Sequence, residues 1–319
     1  MCSKPHLAKS DVVAELPIAC SDETAAVEFL ERKRWGDTPA CPHCGSVAVY
    51  TMKDAETGQR NRRFLWRCRD CKKQFTVRVG TVLEDSPIPL TKWARAAWMA
   101  STAKNGVSAL ELSRTLQLSY KSALFLLNRL RCAMADNHTT PPKLTGVIEA
   151  DETYVGGKPR NKGNNKRGRG TKKQPVFAAL QRGGDVRTRV IASVSGANVR
   201  EALRDLVDRS AKVNTDQEAS YTGIGSYFAG GHETVNHAKK EYARGDVTTN
   251  GVEGFFARVK RGINGVFHNV SKEHLPKYMS HFEFLHNTRT MNDGDRVVAL
   301  IRKADGKRLT YRDSVAMAS

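Results

Sequence analysis

Long apolar runs are absent from this 319-residue sequence. No stretch reaches the roughly 18 apolar residues that a transmembrane helix needs, so we expect no membrane span. The N-terminal residues also lack the apolar core of a secretory signal peptide. We therefore expect the chain to remain in the cytoplasm, where disulfides are rare.

Acidic residues are scarce relative to basic ones. The sequence has 33 Asp and Glu against 52 Lys and Arg, which gives a formal net charge of +19. A chain this basic typically meets a polyanion, because each Lys or Arg contact with a phosphate releases condensed counterions. A basic surface that serves only solubility is the alternative. Hydrophobic residues make up 39% of the chain, which is enough for a core and excludes global disorder.

Cysteine is uncommon, but four of the seven cysteines form two close pairs. Cys41 and Cys44 are one C-x2-C pair, and Cys68 and Cys71 are the other. In a reducing compartment this pattern indicates one structural Zn²⁺ ion held by four thiolates. Four buried reduced thiols are the alternative, which the polar, basic surroundings disfavour. Those basic residues favour contact with nucleic acid over a zinc-stapled module for protein contacts.

Apolar periodicity predicts a helix over 21–36 and three helices after the cysteine module. A tight turn joins the last two helices, as in a helix-turn-helix. We predict that Lys121, Arg129 and Arg131 of the third helix contact DNA in the major groove, with a plain helical scaffold as the alternative. The three helices are predicted at 91–106, 108–118 and 119–136. Three short strands are predicted in the cysteine module, at 47–50, 63–67 and 75–79.

A segment without acidic residues, 158–173, contains eight Lys and Arg. Such a composition cannot offset the entropy of ordering by burial, so we predict a loop that contacts the DNA backbone. The residues predicted to bind phosphates there are Lys166, Arg167, Arg169, Lys172 and Lys173.

Three acidic residues stand where a phosphodiester-cleaving enzyme needs them. Asp151 lies in a predicted strand, Asp216 ends another, and Glu253 lies in the first turns of a predicted helix. Carboxylates on two neighbouring strands and a nearby helix can hold two Mg²⁺ (or Mn²⁺) ions, which activate a water or 3′-hydroxyl and stabilise the leaving oxygen. Each acid alone is more often an ordinary surface carboxylate, so the prediction depends on their order and spacing.

Several residues near these acids are further candidates. Lys260 follows the last acid by two helical turns, and we predict that it contacts a DNA phosphate, with a plain surface lysine as the alternative. Asn250 is either the N-cap of this helix or a residue of the metal site. Glu149 and Glu152 flank Asp151, and we expect strand alternation to turn both away from it.

These motifs resemble the zinc-ribbon DDE transposases of bacterial insertion sequences (ISXO2-like), which are relatives of the eukaryotic Merlin elements. The resemblance covers about residues 25–290, and it implies that Asp151, Asp216 and Glu253 are the catalytic triad that binds the cofactor ions. In some members the third position is described as an asparagine, which makes Asn250 the other candidate. The resemblance is carried by the cysteine-rich region and by EADETYVGGK, NTDQEASY and HAKKEYARGDVTTNGVEGFFARVKRGINGVFHNV.

The resemblance also implies an α/β fold class. An RNase H-like catalytic domain, with a mixed sheet flanked by helices, is expected after a small zinc ribbon and a helix-turn-helix-like segment. The predicted parts are an N-terminal extension (1–36), the zinc ribbon (37–88), the helical DNA-binding segment (89–140), the catalytic domain (141–290) and a C-terminal tail (291–319).

The implied function is that of a DNA transposase. Its expected partners are double-stranded DNA, as terminal inverted repeats and as target, and further copies of itself, since two ends must be brought together. When bound to DNA it is expected to be associated with the nucleoid. A non-catalytic DNA-binding regulator and an RNA-processing nuclease of the same fold remain as alternatives.

Overall fold

The computed structural model describes residues 11–136, 142–156, 173–236, 239, 241 and 243–309. The chain divides into two compact units. One comprises Met1–Asn137 together with Arg289–Ser319, and the other comprises His138–Thr288. Across the described ranges, no helix has both the length and the apolar character needed to cross a bilayer.

The first unit combines helices with a small antiparallel sheet in the order β1-β2-β3. Its helices begin where side chains can cap them: Asp22, Ser108 and Ser119 each accept a hydrogen bond from a backbone N–H of the first turn. Its elements are α1 (Asp11–Ala19), α2 (Glu23–Trp35), β1 (Val49–Thr51), β2 (Trp66–Cys68), β3 (Gln74–Phe75), α3 (Leu90–Thr102), α4 (Ala109–Leu116), α5 (Tyr120–Met134) and α9 (Asp293–Lys303).

Two predicted strands of the first unit are wrong in their extent. Strand β2 begins later than predicted because Phe64 adopts a left-handed φ of 55°, which interrupts an extended run. Strand β3 ends at Phe75, and the following residues form turns in which the Arg78 Nη1 donates to the carbonyl oxygens of Ser86 and Ile88. The valines at 77 and 79 therefore belong to a turn rather than to a strand.

The end of the chain contains a helix where the sequence predicted a tail. Helix α9 packs against α2, α3 and α5 of the same unit, and its Val297 and Leu300 are buried. Asn292 caps it by accepting from the Asp295 N–H. Helix α1 is a second element that the sequence did not predict. Burial of these apolar residues makes α9 part of the core of the first unit.

The second unit is built on a mixed five-stranded sheet, as expected. The strand order is β6-β5-β4-β7-β8; β5 is antiparallel to both neighbours, whereas β4, β7 and β8 are parallel. Its elements are β4 (Val147–Val155), β5 (Gln174–Gln181), β6 (Val186–Val190), α6 (Gly196–Leu206), β7 (Lys212–Asp216), β8 (His232–Val235), β9 (Ala243–Arg244), β10 (Val247–Thr248), α7 (Asn250–Gly262) and α8 (Leu275–Asn287).

Helices cover both faces of this sheet. On one face, Ile148 and Ala150 of β4 and Val213 of β7 pack with the apolar residues of α6. On the other face, Val155 and the alternate residues of β5 pack with α7 and α8. Since successive strand residues point to opposite faces, the odd-numbered residues of β4 and the even-numbered residues of β7 face α7.

Candidate metal centres and nucleic-acid contacts

The four predicted cysteine ligands converge in the first unit. The Sγ atoms of Cys41 and Cys71 are 3.7 Å apart. Those of Cys44 and Cys68 are also 3.7 Å apart, and all four ligand atoms lie within 4.8 Å of one another. Four soft donors at this separation fit a tetrahedral zinc ion and leave no place for a substrate, which is typical of a structural site.

Local backbone geometry brings each cysteine pair to the site. Gly45 and Lys72, which directly follow the second cysteine of each pair, both have left-handed φ angles, 76° and 61°. This reversal turns the chain so that backbone N–H groups point at sulfur. The pKa of Cys68 is lowered to about 7, mainly because the N–H of Cys71 donates to its sulfur, and also that of Asp70. Cys68 is thereby prepared to bind metal as a thiolate.

An aromatic cluster packs against the cysteine site. Trp35, Trp66 and Phe75 contact one another with ring centroids 5.9 to 6.4 Å apart, and they pack with the buried cysteines. Glu31 of α2 is buried, and its carboxylate accepts from the Trp66 indole at 2.7 Å and from both terminal nitrogens of Arg60. Helix α2 is thus bonded directly to the zinc-ribbon sheet.

In the second unit, Asp151 and Asp216 occupy equivalent positions on neighbouring parallel strands. Strand β4 pairs with β7 as far as Glu149 and Asn214, and each aspartate lies two residues beyond its strand's last paired residue. Both aspartates therefore stand on the face of the sheet that α7 covers. Both are half-buried.

Glu253 of α7 interacts electrostatically with Asp151. Burial, together with the nearby charges of Glu152, Asp216 and Glu253, raises the pKa of Asp151 to about 7, although the Glu152 N–H donates a hydrogen bond that lowers it. The charges of the other two predicted triad members therefore raise the pKa of Asp151. Two strands and one helix bring to one region three carboxylates that are far apart in the chain.

The carboxylates approach one another less closely than the thiols do. Among the residues that the structure describes, the four cysteines are the one group of three or more His, Cys, Asp or Glu that could hold a metal ion through mutually close ligand atoms. Carboxylates are charged at neutral pH and repel one another in the absence of a cation, whereas protonated thiols do not. Their hard oxygen donors suit Mg²⁺ or Mn²⁺ rather than zinc.

Glu149 has a role that the sequence did not reveal. We expected it to point away from Asp151, which is wrong, because a residue two positions earlier on a strand shares the same face. It is buried, and its Oε2 accepts from the N–H groups of Gly251 at 2.7 Å and Val252 at 3.3 Å. Its Oε1 accepts from Arg182 at 3.1 Å. Counting residues along the strand would have placed Glu149 on this face.

This carboxylate anchors the start of helix α7. The first backbone N–H groups of a helix lack partners within the helix, and its N-terminus attracts negative charge. Gly251 permits the close approach, since a Cβ at this position would lie 2.7 Å from Oε2 of Glu149. The anchor joins β4 to α7, two residues from Asp151 on one side and two residues from Glu253 on the other.

Glu152 points to the opposite face of the sheet, as expected. Its Oε2 accepts from the hydroxyl group of Tyr221, which is buried in the core on the α6 side. Burial, and then the charge of Glu152, raise the pKa of Tyr221 well above its ordinary value, so the phenol stays protonated and donates. Glu152 is thereby held beside Asp151 without sharing its face.

Two other predicted residues lie on α7. Asn250 is its first residue and is exposed; the N-cap is Thr249, so the capping alternative for Asn250 is wrong. The Thr249 hydroxyl group donates to Oε1 of Glu253 at 2.9 Å. Lys260 is exposed and lies on the same helix two turns after Glu253, which leaves its predicted phosphate contact a prediction.

The structure corrects the predicted DNA contacts of α5. Arg129 is 3% exposed and donates to the carbonyl oxygens of Val82, Glu84 and Leu309, all within the first unit. Arg131 is 1% exposed, and its Nη1 donates to the side chain of Asn128. Neither guanidinium group is placed to reach a phosphate.

Exposed side chains of α5 are confined largely to its first turn. Lys121 is exposed there, beside Tyr120 at 56% exposure, so a DNA contact by Lys121 stays a prediction. In the basic segment, Lys173 is partly buried and its side chain lies against Gly156. The other predicted phosphate-binding residues lie outside the described residues: Lys166, Arg167, Arg169 and Lys172.

Comparison with known proteins identifies both units. The sequence profile of the ISXO2-like transposase domain matches residues 143–287, and that of the transposase zinc-ribbon domain matches residues 21–74. A protein of Halobacterium salinarum, described as an uncharacterized protein in transposable element ISH50, is 29% identical over 274 residues, which are 82% of this chain and 90% of that protein.

Both matched profiles are transposase domains, and they fall on the four-cysteine module and on the unit with the clustered carboxylates, so the chain is of the transposase class. Its second unit carries an ISXO2-like transposase domain, and its first unit carries a transposase zinc-ribbon domain.

Proposed function

We propose that this protein binds the ends of its own insertion sequence and cleaves and joins DNA strands in a reaction that depends on two divalent cations. The observation that carries the proposal is the electrostatic coupling of Asp216 and Glu253 to Asp151, on one face of the sheet. A protein that only bound DNA would gain nothing from collecting these acids, because like charges in a half-buried site oppose one another.

The fold supports this proposal. The sheet has three antiparallel strands, β6, β5 and β4, followed by the parallel strands β7 and β8, with helices on both faces. We propose that this unit is RNase H-like, with Asp151 on the central strand and Asp216 on the strand beside it. Placing the acids on neighbouring parallel strands brings them to the same edge of the sheet.

The residues present fit Mg²⁺ or Mn²⁺ as the cofactor. Asp151 and Asp216 would hold the ions together with Glu253, and Asn250 is the other candidate for the third position. Two such ions, when bound, activate the attacking water or 3′-hydroxyl and stabilise the leaving oxygen of the phosphodiester. In the metal-free protein, Asp151 keeps a proton up to a pH of about 7 and must release it to become a ligand.

Other residues are proposed to position DNA and protein. Lys260 would bind a phosphate near the acids, and Lys121 would contact DNA from the exposed start of α5. Glu149 holds the start of α7 and so sets where Glu253 stands relative to the strands. The four cysteines would hold one structural Zn²⁺. Joining two element ends requires a dimer or larger assembly.

A cleavage assay tests the proposal. The substrate is a duplex carrying the element's own end and flanking DNA, incubated with purified protein and Mg²⁺ or Mn²⁺. We expect the wild-type protein to cut at the element end, and Asp216→Asn to lose cutting by about a hundredfold or more because one metal-binding carboxylate is gone. Asp185→Asn is the matched control, since Asp185 is an exposed residue of the same unit, between β5 and β6.

The outcomes separate the alternatives. Equal cutting by the wild type and Asp216→Asn would show that these acids are not the catalytic centre. Binding of duplex DNA without metal-dependent cutting by any of the proteins would favour a DNA-binding regulator. Cutting of structured RNA in preference to the duplex would favour an RNA-processing nuclease.

A further inference from the structure

A basic cavity lies in the second unit, away from the acidic residues. It has a volume of about 170 Å³ and is formed by α6 and the segment 223–228. Three arginines line it: Arg200 and Arg204 from α6, and Arg209 from the connection that follows α6. This arginine pocket is not used by any step of the proposed reaction.

Tyr227 organises the arginines. The guanidinium carbon of Arg204 lies 5.0 Å from the ring centroid of Tyr227, and that of Arg209 lies 5.6 Å from it. The ring itself is held by an edge contact with Phe228, 4.9 Å away between centroids, and Phe228 is buried in the core. Arg200 reaches toward the carbonyl oxygen of Thr222 at 3.5 Å. The two guanidinium groups are thus gathered around one fixed aromatic ring.

The acidic residues of α6 are engaged elsewhere. Glu201 and Asp205 form a stripe with four-residue spacing, and both are paired with Arg189 of β6. Arg200 and Arg204 have the same spacing on the adjacent stripe. Within the described ranges, neither these two arginines nor Arg209 has an ion pair with a carboxylate. Helix α6 therefore has its acidic stripe paired with Arg189 and its basic stripe at the pocket.

Three uncompensated guanidinium groups around one cavity repel one another. An anion between them would remove that repulsion, and the planar fork of donors on arginine matches the oxygens of a phosphate. The cavity is large enough for a phosphate group and opens to solvent through exposed Arg204 and Arg209. An apolar or cationic ligand would leave the charges unopposed.

We propose that the arginine pocket binds a backbone phosphate of duplex DNA, as a contact separate from the acidic centre. This inference rests on the proposed function only in taking DNA as the partner. Arg209 lies in the turn before β7 and Asp216 ends that strand, so the length of β7, at about 3.3 Å per residue, separates the pocket from the acids by on the order of 15 Å. The pocket also lies on the α6 side of the sheet, whereas the acids face α7, so a phosphate bound there contributes to affinity and not to chemistry.

The test measures how the affinity for a random-sequence duplex depends on salt. Full-length wild type is compared with Arg204→Gln and Arg209→Gln, with Arg189→Gln as the matched control. The control also loses one arginine charge from the α6 side of the same unit, but that charge is already paired with carboxylates. We expect each pocket variant to bind several-fold more weakly and to lower the slope of log affinity against log salt by about one, while the control keeps the wild-type slope.

Three results would overturn the inference. One is an unchanged slope in both pocket variants, and another is an equal fall in the Arg189→Gln control, which would reflect net charge alone. The third is calorimetric binding of inorganic phosphate to the wild type as tight as that of the duplex, since the pocket would then be a site for a free anion. Arg204→Lys, which keeps the charge, should recover most of the slope.

Cleavage of element-end DNA is measured in parallel. The pocket variants should cut at the wild-type rate when DNA is saturating and should need more DNA to reach half that rate. Absence of metal-dependent cutting by the wild type would defeat the proposed function but leave the salt comparison intact. Normal cutting with unchanged slopes would defeat only the pocket.

Discussion

The two candidate metal centres differ in how closely their ligands gather. In the zinc ribbon all four sulfur atoms lie within 4.8 Å of one another. In the second unit the three carboxylates share a region but do not form such a group. Most thiols are protonated, and therefore uncharged, at neutral pH, so they can lie close together at little electrostatic cost. Carboxylates at the same separation must repel one another or bind protons. Burial first, and then the charges of the neighbouring carboxylates, raise the pKa of Asp151 to about 7.

The centres also differ in what holds them. Each cysteine pair is shaped by its own short turn, at Gly45 and Lys72. The acids instead depend on contacts between distant segments, such as the hydrogen bonds by which Glu149 anchors α7. Short local turns can therefore shape the cysteine pairs of a zinc site. The acidic centre instead requires packing between distant strands and helices of the second unit, which holds its carboxylates together against their mutual repulsion.

Loss of the zinc ligands should have the largest effect. Cys68→Ser removes a buried ligand, and structural zinc contributes on the order of 10 kcal/mol or more to the folding of small zinc modules. We expect zinc, measured by elemental analysis, to fall from about one ion per chain to near none, with loss of ordered signals from the zinc-ribbon sheet. Cys20→Ser is the control, since Cys20 lies outside the cluster, and equal zinc loss in both variants would refute the assignment.

Removal of the α7 anchor should have the next largest effect. Glu149→Ala leaves the N–H groups of Gly251 and Val252 and the Arg182 charge without their buried acceptor, at a cost of about 3–5 kcal/mol. Both the free energy of unfolding and the metal-dependent cutting rate should fall. Glu201→Ala removes an exposed carboxylate of the same unit and should cost under about 1 kcal/mol. Similar losses in the two variants would show that Glu149 anchors nothing.

A methyl group added at Gly251 should also disturb the contact between Glu149 and α7. Gly251→Ala places a Cβ 2.7 Å from the Glu149 carboxylate, and such overpacking costs about 1–3 kcal/mol. Cutting should fall with it because α7 carries Glu253. Gly254→Ala, in the next turn of the same helix, meets nothing within 4 Å and should be neutral or stabilise the protein by up to about 1 kcal/mol. Thermal unfolding of both variants tests this. A Gly251→Ala protein as stable as the Gly254→Ala protein, or more stable, would contradict the prediction.

The raised pKa of Asp151 should make the stability of the protein depend on pH. The folded-state pKa of Asp151, about 7, is above its ordinary value of 3.8, so the stability it contributes is present below about pH 4 and is lost as pH rises to about 7. Asp151→Asn should therefore stabilise the protein at pH 8 in the presence of chelator by more than about 1 kcal/mol, and this gain should vanish near pH 4.

Added Mg²⁺ or Mn²⁺ should stabilise the wild type at pH 8 and leave Asp151→Asn little changed. Thermal melts across this pH range, with and without metal, measure both effects, and Asp185→Asn serves as the control. An identical pH profile for Asp151→Asn and the wild type would mean that Asp151 ionises at its ordinary pKa.

Much of the fold follows from short stretches of sequence. Apolar periodicity predicted helices α2 to α5, and Asp22, Ser108 and Ser119 cap three of them. Periodicity and caps depend on residues a few turns apart at most, so the local chain suffices. Each cysteine pair is also local, although Cys44 and Cys68, which are 24 residues apart, meet only in the folded zinc ribbon. The left-handed Phe64 that delays β2 has no comparable local signature.

Prediction failed where burial depends on distant segments. Arg129 and Arg131 have the composition of a DNA-reading helix, but their surroundings are supplied by residues such as Val82 and Leu309, which lie far along the chain. The helical nature of α9 became clear only from its packing on α3. A charged side chain that donates to buried carbonyl oxygens cannot contact DNA, and the local sequence does not predict such burial.

The sequence by itself determined the four cysteine ligands, helices α2 to α5 of the first unit, and the three acids worth testing. Only the tertiary structure decided that Glu149 shares the face of Asp151 and anchors α7, that two arginines of α5 are buried, and that three others surround a cavity beside Tyr227. The physical reason is that burial and electrostatic coupling are properties of neighbours in space, which chain order specifies only through the complete fold.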